Sequence, residues 1–209
     1  MKKEDHINGY NFFKIVLGFL FKICYRPKYY NKDLIPETGP IIIAGNHMHL
    51  FDQNLVIVST KRMVHYMAKI EYFQDKKKAW FFKMAGCIPV NRQIKDEDAK
   101  SSAMEILNNG YALGVFPEGT RNKTDAFLLP FKYGVVSMAQ KSGASIVPCA
   151  FTGEYKVWKK NYLNVRYGKP FKVPKDMDLK DANDKLYKEI SNLKKEGLRE
   201  IRNEKHKIK

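Results

Sequence analysis

The sequence has little cysteine, and no pattern that a cysteine framework would leave. Its 209 residues include three cysteines, Cys24, Cys87 and Cys149, which lie far apart among apolar residues. Such thiols do not predict a disulfide framework or a zinc knuckle, and they fit a reducing compartment. The chain is 44% hydrophobic, which is too apolar for a disordered protein, and its length suits one compact domain.

Long uninterrupted hydrophobic runs are missing as well. The most apolar segment, at 10–26, is broken by Lys14 and Lys22, and its unbroken stretch Ile15–Phe21 is far shorter than the roughly 20 residues that span a bilayer. It lacks a small-residue cleavage site, which argues against a cleaved signal peptide. On a helix its basic residues form one narrow strip, and apolar side chains cover the rest. This pattern predicts a helix that lies in a membrane interface, with an ordinary buried helix as the alternative.

Negative charge is in short supply. The 38 lysines and arginines outnumber the 22 acidic residues and give a formal net charge of +16. An excess of this size favours a polyanionic partner, which can be nucleic acid, an anionic membrane surface or a phosphorylated substrate. The segment Trp80–Phe82, flanked by lysines, repeats the basic and aromatic mixture of the N-terminal helix and makes membrane contact more credible.

Several well-known catalytic and nucleotide-binding motifs are also absent. The chain contains no G-x-S-x-G nucleophile elbow, no P-loop and no G-x-G-x-x-G fingerprint. The sequence therefore gives no sign of covalent catalysis or of nucleotide binding.

What the sequence does contain is a regular alternation of short apolar runs and helical patterns. After a proline-punctuated connection at 26–40, strands are predicted at 40–45, 63–68, 87–90, 111–116, 145–151 and within 163–173, and helices at 50–60, 77–85, 96–110, 133–143 and the C-terminal end. This alternation predicts an α/β fold: a single domain with a twisted, largely parallel sheet flanked by helices, preceded by an N-terminal amphipathic, membrane-associating helix. In such sheets, ligands collect at the carboxyl ends of the strands.

The stretch GNHMHLFD, at 45–52, follows the first predicted strand of this alternation. His47 and Asp52 are five residues apart, so on a regular helix their side chains would diverge by roughly 140°. They meet if His47 lies in the strand-to-helix turn and Asp52 in the first helical turn, where the carboxylate would fix the imidazole tautomer and leave a general base. The alternatives are a polar turn with an N-capping group, and a metal site formed with His49, although Gln53 stands where a closing histidine would be needed.

Further polar blocks follow other predicted strands. FPEGTR, at 116–121, combines a tight glycine turn with the hydroxyl of Thr120 and the planar donors of Arg121, which suit a phosphate or carboxylate. GCIPVNR brings Arg92 to the same sheet edge, and VPCA, at 147–150, stiffens a strand end with proline. Taken alone, FPEGTR is equally compatible with a loop closed by a salt bridge.

Together and in this order, the four blocks resemble the glycerolipid acyltransferase family, most closely its bacterial lysophosphatidate acyltransferases. The family pattern is N-H-x4-D, then G-x-I-x-x-x-R, then F-P-E-G-T/S-R, then a V-P block. This chain has Asn46-His47 with Asp52, then GCIPVNR, FPEGTR and IVPCA, and the match spans residues 37–171. It departs at His49, where the family usually has Ser or Thr, and this leaves the hydrogen bonding of the loop and the substrate preference open.

The resemblance implies a membrane-associated acyltransferase that moves a fatty acyl group from a thioester donor to the free hydroxyl of lysophosphatidate and so produces phosphatidate. His47 would deprotonate that hydroxyl while Asp52 orients its ring, and no enzyme-bound acyl group would form. The expected substrate-binding residues, which would hold the glycerol phosphate, are Arg92, Glu118, Gly119, Thr120 and Arg121.

The resemblance also implies no cofactor and no metal, with acyl carrier protein or acyl coenzyme A as co-substrate. The expected partners are an anionic membrane surface, a lysophospholipid acceptor and the thioester carrier, and no nucleic acid is expected. The enzyme would lie on the cytoplasmic side of the cell membrane as a peripheral or monotopic protein. Residues 1–30 would form the membrane-associating helical segment and residues 31–209 the acyltransferase domain, with Trp80–Phe82 as a candidate wall of an acyl-chain groove.

Three other hypotheses stay open at this point. The same chemistry would serve another lysolipid acceptor. A non-enzymatic basic protein that binds nucleic acid or anionic lipid would explain the net charge of +16, but it ignores the four blocks. A metal-dependent hydrolase would use His47, His49 and Asp52 as ligands.

Overall fold

A twisted sheet between two layers of helices organises the chain. The computed structural model describes residues 3–91, 94, 96–158 and 162–206. Within this part of the chain the strands are β1 (Lys28–Tyr30), β2 (Ile41–Gly45), β3 (Val64–Lys69), β4 (Ile88–Val90), β5 (Ala112–Val115), β6 (Ser145–Thr152) and β7 (Asn164–Tyr167). The helices are α1 (Lys3–Tyr25), α2 (Asp52–Ser59), α3 (Lys76–Met84), α4 (Glu97–Asn108), α5 (Gly134–Ser142) and α6 (Leu179–His206), and two short 3-10 helices span Lys32–Leu34 and Ile70–Phe73.

The seven strands of the described residues form one sheet in the order β1-β7-β6-β2-β5-β3-β4. The five strands from β6 to β4 in this order are mutually parallel, whereas β7 runs antiparallel to β6, and β1 runs parallel to β7. The predicted α/β class with a largely parallel sheet is therefore confirmed. The prediction of a plain connection at 26–40 is wrong at its beginning, because β1 lies there and pairs with β7.

Strand β2 at the centre shows why the sheet is buried on both faces. Ile41 and Ile43 pack on the side of α1 and α2, whereas Ile42 and Ala44 pack on the side of α4, α5 and α6. A strand covered on both faces reads as an unbroken apolar run, as IIIA does here. Because β2 is parallel to β5 and β6 on either side, the loops after all three strands leave the sheet at the same edge.

Helix α1 packs against α2 and α3. Tyr10 and Phe21 are buried there, and the Lys14 ammonium donates hydrogen bonds to the carbonyl oxygens of Thr60 and Arg62 just after α2. Seven large apolar side chains of α1 are exposed: Phe12, Ile15, Val16, Leu17, Phe19, Leu20 and Ile23. Among the described residues, no helix has both the length and the apolar character needed to cross a bilayer. The predicted division of the chain after residue 30, where β1 ends, stays a prediction.

Candidate active site

The structure brings the imidazole of His47 and the carboxylate of Asp52 into direct contact. His47 lies in the turn after β2, and Asp52 is the first residue of α2, as the spacing of the two residues requires. His47 Nδ1 lies 2.8 Å from Asp52 Oδ2. With the Nδ1 proton donated to this carboxylate, Nε2 is the ring nitrogen that is left to accept a proton.

The carboxylate of Asp52 is fully buried, and donors surround it. Besides His47, the backbone N–H groups of Met48 and His49 donate to Oδ2 at 2.7 and 2.8 Å. The hydroxyl of Tyr155 donates to Oδ1 at 2.6 Å. Four donors, at the amino-terminal end of a helix, compensate the negative charge that burial would otherwise make costly.

Three further contacts hold the imidazole and the backbone of His47. The ring stacks on Phe116, the residue after β5, with centroids 3.9 Å apart and an interplanar angle of 5°. The backbone N–H of His47 donates to Glu118 Oε1 at 2.8 Å, and its carbonyl oxygen accepts from the N–H of Asn122 at 2.8 Å. The FPEGTR block and the residue that follows it therefore hold both the backbone N–H and the backbone carbonyl of His47.

Glu118, expected from the resemblance to bind substrate, is buried and engaged within the protein. Its second oxygen, Oε2, accepts from the backbone N–H of Leu129 at 2.8 Å, so the carboxylate bridges two backbone segments. This geometry supports a bracing role for Glu118, and its contact with substrate stays a prediction.

The other expected substrate-binding residues divide into three groups. Gly119 has a φ of +70°, a conformation that favours glycine, and forms the tight turn of the block. Thr120 and Arg121 are exposed, and Arg121 lines the same groove as His47. Arg92 lies outside the described residues.

Asn46, next to His47 in the first block, ties two strand ends together. Its side-chain oxygen accepts from the backbone N–H of Phe151 at 2.8 Å, and its amide donates to the Phe151 carbonyl at 3.2 Å. The preceding Gly45 has no room for a side chain, since a Cβ atom there would lie 2.7 Å from Cys149 Sγ. The V-P block and the residue after it on β6 thus pack against the start of the loop that carries His47.

A largely apolar groove of about 850 Å³ opens at His47. It runs between α1, α2 and α3, and Phe81 and Phe82 of the expected aromatic wall line it, whereas Trp80 does not and is 54% exposed. Two cations that were not among the expected substrate-binding residues, Lys69 and Lys78, line the same groove, and Lys78 is one of the lysines that flank Trp80–Phe82. Lys69 ends β3, and its position after an apolar strand was the available signal.

His49, the second histidine of the loop after β2, packs against aromatic and backbone groups. Its ring stacks on Tyr155 with centroids 4.2 Å apart, and its Nδ1 accepts from the backbone N–H of Phe51 at 3.3 Å. Within the described part of the chain, no three His, Cys, Asp or Glu side chains come together in a group that could hold a metal ion.

Comparison with known proteins agrees with this geometry. The Acyltransferase family model matches residues 26–152, more than half of the chain. The chain is 33% identical over 147 residues to a Bacillus subtilis protein named 1-acyl-sn-glycerol-3-phosphate acyltransferase, covering 68% of this chain and 72% of that one. A Streptococcus pneumoniae protein of the same name is 24% identical over 184 residues, covering 85% of this chain and 67% of the relative.

A solved structure has the same fold. The crystal structure of the 1-acyl-sn-glycerophosphate (LPA) acyltransferase PlsC from Thermotoga maritima superposes with a TM-score of 0.68. The two sequences are 21% identical, and the match covers 85% of this chain and 73% of that one. The family match, the relatives and the ordered blocks around His47 lead to one conclusion: this chain belongs to the acyltransferase family and is an acyltransferase.

Proposed function

We propose that this acyltransferase moves a fatty acyl group from a thioester donor to the free hydroxyl of lysophosphatidate, and so makes phosphatidate for phospholipid synthesis. The observation that carries the proposal is the His47–Asp52 pair at the mouth of an apolar groove, with Arg121 lining the same groove. The names of the Bacillus subtilis and Streptococcus pneumoniae relatives state the same acceptor.

The proposed reaction uses His47 as general base and then as general acid. Nε2 takes the proton of the acceptor hydroxyl while Asp52, across the ring, stabilises the imidazolium that forms. The hydroxyl oxygen forms a bond to the thioester carbonyl carbon, and the carbon–sulfur bond breaks. The departing thiolate takes the proton back from His47. Because a thiolate leaves readily, neither a metal nor an acyl-enzyme is needed.

In this proposal the phosphate of the acceptor is held by cations around the groove. Arg121 offers a planar pair of donors that matches a phosphate, and Lys69 and Lys78 add charge to the same cavity. Arg92 is expected to join them. Glu118 supports the reaction indirectly, since it fixes the backbone of His47.

The groove suits the fatty acyl chain. Its volume of about 850 Å³ lies in the range of small-molecule sites, and its apolar lining removes a hydrocarbon chain from water. The acyl donor would approach with its thioester at His47 and its carrier, either acyl carrier protein or coenzyme A, outside.

A membrane-facing surface completes the proposal. Phe13 of α1 meets the exposed Trp80 edge-on, with centroids 5.7 Å apart. The loop after β6 presents Trp158, which is 68% exposed, beside the end of α1, where the backbone N–H of Trp158 donates to the Cys24 carbonyl. Each apolar side chain that leaves water contributes about 1.5–3 kcal/mol, and each lysine or arginine near an anionic leaflet about 1 kcal/mol. We infer peripheral or monotopic attachment to the cytoplasmic face of the cell membrane.

The test is acyl transfer by the purified protein on anionic vesicles. Radiolabelled lysophosphatidate is offered with acyl carrier protein or coenzyme A thioesters, beside lysophosphatidylethanolamine and monoacylglycerol as competing acceptors. Labelled phosphatidate from the wild type, and none from a folded His47→Ala variant, is the expected result. Transfer to another acceptor in preference would replace lysophosphatidate in the proposal, and unchanged activity of His47→Ala would end the assignment of the base.

A further inference from the structure

A side chain outside all four motif blocks reaches the carboxylate of the His47–Asp52 pair. Tyr155 lies in the loop after β6, 103 residues along the chain from Asp52, and its hydroxyl donates to Asp52 Oδ1 at 2.6 Å. The other three donors, His47 Nδ1 and the N–H groups of Met48 and His49, all bind Oδ2. Tyr155 is thus the one donor to Oδ1 among the contacts of the described residues.

The ring of Tyr155 is in contact with two other aromatic rings. His49 stacks on it at 4.2 Å between centroids, and Tyr25 at the end of α1 meets it edge-on at 5.7 Å. Burial raises the pKa of the Tyr155 phenol well above its ordinary value, and the negative charge of Asp52 raises it further. The hydroxyl therefore stays protonated at neutral pH and remains a donor.

We propose that Tyr155 is a positioning residue for acyl transfer: it fixes the orientation of the Asp52 carboxylate, and the stacked ring of His49 fixes Tyr155. The inference rests on the proposed function, because its measure is the rate of acyl transfer. It gives a role to His49, the residue at which the chain departs from the family pattern.

The physical argument concerns rotation of the carboxylate. A carboxylate held at Oδ2 alone can turn about the Cβ–Cγ bond to find a second donor for Oδ1, and this turn moves Oδ2 away from His47. With Tyr155 in place, both oxygens are satisfied in one orientation, and His47 is held in the tautomer that leaves Nε2 free. Because Tyr155 touches Asp52 and not the reacting atoms, its loss should slow the chemical step and leave substrate binding alone.

The decisive variant is Tyr155→Phe, which removes the hydroxyl and keeps the stacked ring. We expect kcat to fall about tenfold, the size of one hydrogen bond to a charged group, with both KM values within about twofold of the wild type. Tyr167→Phe is the control, since the hydroxyl of the fully buried Tyr167 lies 2.5 Å from Ser59 Oγ, at the opposite end of α2 from Asp52. It should lower the melting temperature without lowering kcat.

A second pair of variants tests the stacking partner and remains informative if Tyr155→Phe folds poorly. His49→Ala removes the ring and should lower kcat by a similar factor, whereas His49→Phe keeps a ring against Tyr155 and should restore most of the rate. Wild-type kcat in Tyr155→Phe, or equal rates in His49→Ala and His49→Phe, would overturn the inference. A wild-type enzyme inactive on every acceptor would instead refute the proposed function, so the two failures are distinguishable.

Discussion

Replacing Asp52 with asparagine removes one negative charge from the proposed catalytic pair while keeping the size of the side chain. The amide oxygen can take the place of Oδ2 and accept from His47 Nδ1 and from the N–H groups of Met48 and His49. The amide nitrogen then faces the hydroxyl of Tyr155, whose oxygen can accept a hydrogen bond. The fold of the loop should therefore survive the substitution.

What Asp52→Asn removes is the attraction between the carboxylate and the imidazolium that forms as His47 takes a proton. The hydrogen-bonded contact of 2.8 Å places the two charge centres about 4 Å apart, and Asp52 is fully buried, so water does not screen the pair. Two unit charges at that distance attract by about 4 kcal/mol at an effective dielectric constant of about 20. At about 1.4 kcal/mol for each factor of ten, kcat should fall about a thousandfold.

The assay is steady-state acyl transfer from a thioester to lysophosphatidate on vesicles, with circular dichroism and thermal unfolding to verify the fold. KM should change little, because the charge acts after substrate has bound. Asp178→Asn is the control, since Asp178 also accepts backbone N–H groups at the start of a helix, α6, away from the groove. A folded Asp52→Asn enzyme within about tenfold of the wild-type kcat would refute the charge-stabilisation argument.

Three other predictions test the phosphate site, the membrane surface and His65, the partly buried histidine of β3. Arg121→Ala should raise the KM for lysophosphatidate about tenfold and leave the KM for monoacylglycerol unchanged in the same kinetic assay, because monoacylglycerol has no phosphate for Arg121 to bind. Phe19→Glu should weaken binding to anionic vesicles at least about tenfold in co-sedimentation, whereas Leu198→Glu, an exposed position on α6, should not. Burial lowers the pKa of His65 below its ordinary value, although its hydrogen bond to the Gly86 carbonyl opposes this. The unfolded chain therefore binds a proton at His65 at a higher pH than the folded chain does. The free energy of unfolding is thus unaffected by His65 above about pH 6.5 and decreases as the pH falls below it. His65→Gln should thus make the melting temperature fall less between pH 7 and pH 5, and an identical fall in both proteins would contradict the assignment.

The fold was predictable where local pattern and burial coincide. The run Ile41–Ala44 is buried on both faces of the sheet, so it reads as a strand without further information. Strand β1 was not predictable, because its three residues, Lys28–Tyr30, show no alternation and lie in a proline-punctuated segment. The reversal of β7 was also out of reach, since strand direction depends on the path of the connecting chain and not on the residues within the strand.

The site was predictable in its short-range part. The five-residue spacing of His47 and Asp52 limits the geometries in which they meet, and the structure adopts the expected one. The contacts of Glu118 and Tyr155 depend on residues 71 and 103 positions away, and no local pattern reports such pairings. The motif therefore predicts a substrate contact for Glu118, which stays a prediction, and it does not report that both oxygens of Glu118 accept from backbone N–H groups.

The FPEGTR block and the residue after it therefore carry two separable tasks. Glu118 at its centre and Asn122 just beyond it hold the N–H and the carbonyl of His47, so a change at either disturbs the base whatever the substrate is. Thr120 and Arg121 lie between them on the exposed surface, and Arg121 lines the groove without holding His47 through any hydrogen bond described for it. Acceptor preference can consequently diverge at these exposed positions while the catalytic pair stays intact. A chain of this family that prefers an uncharged acceptor should therefore differ at position 121 and still keep a glutamate at 118.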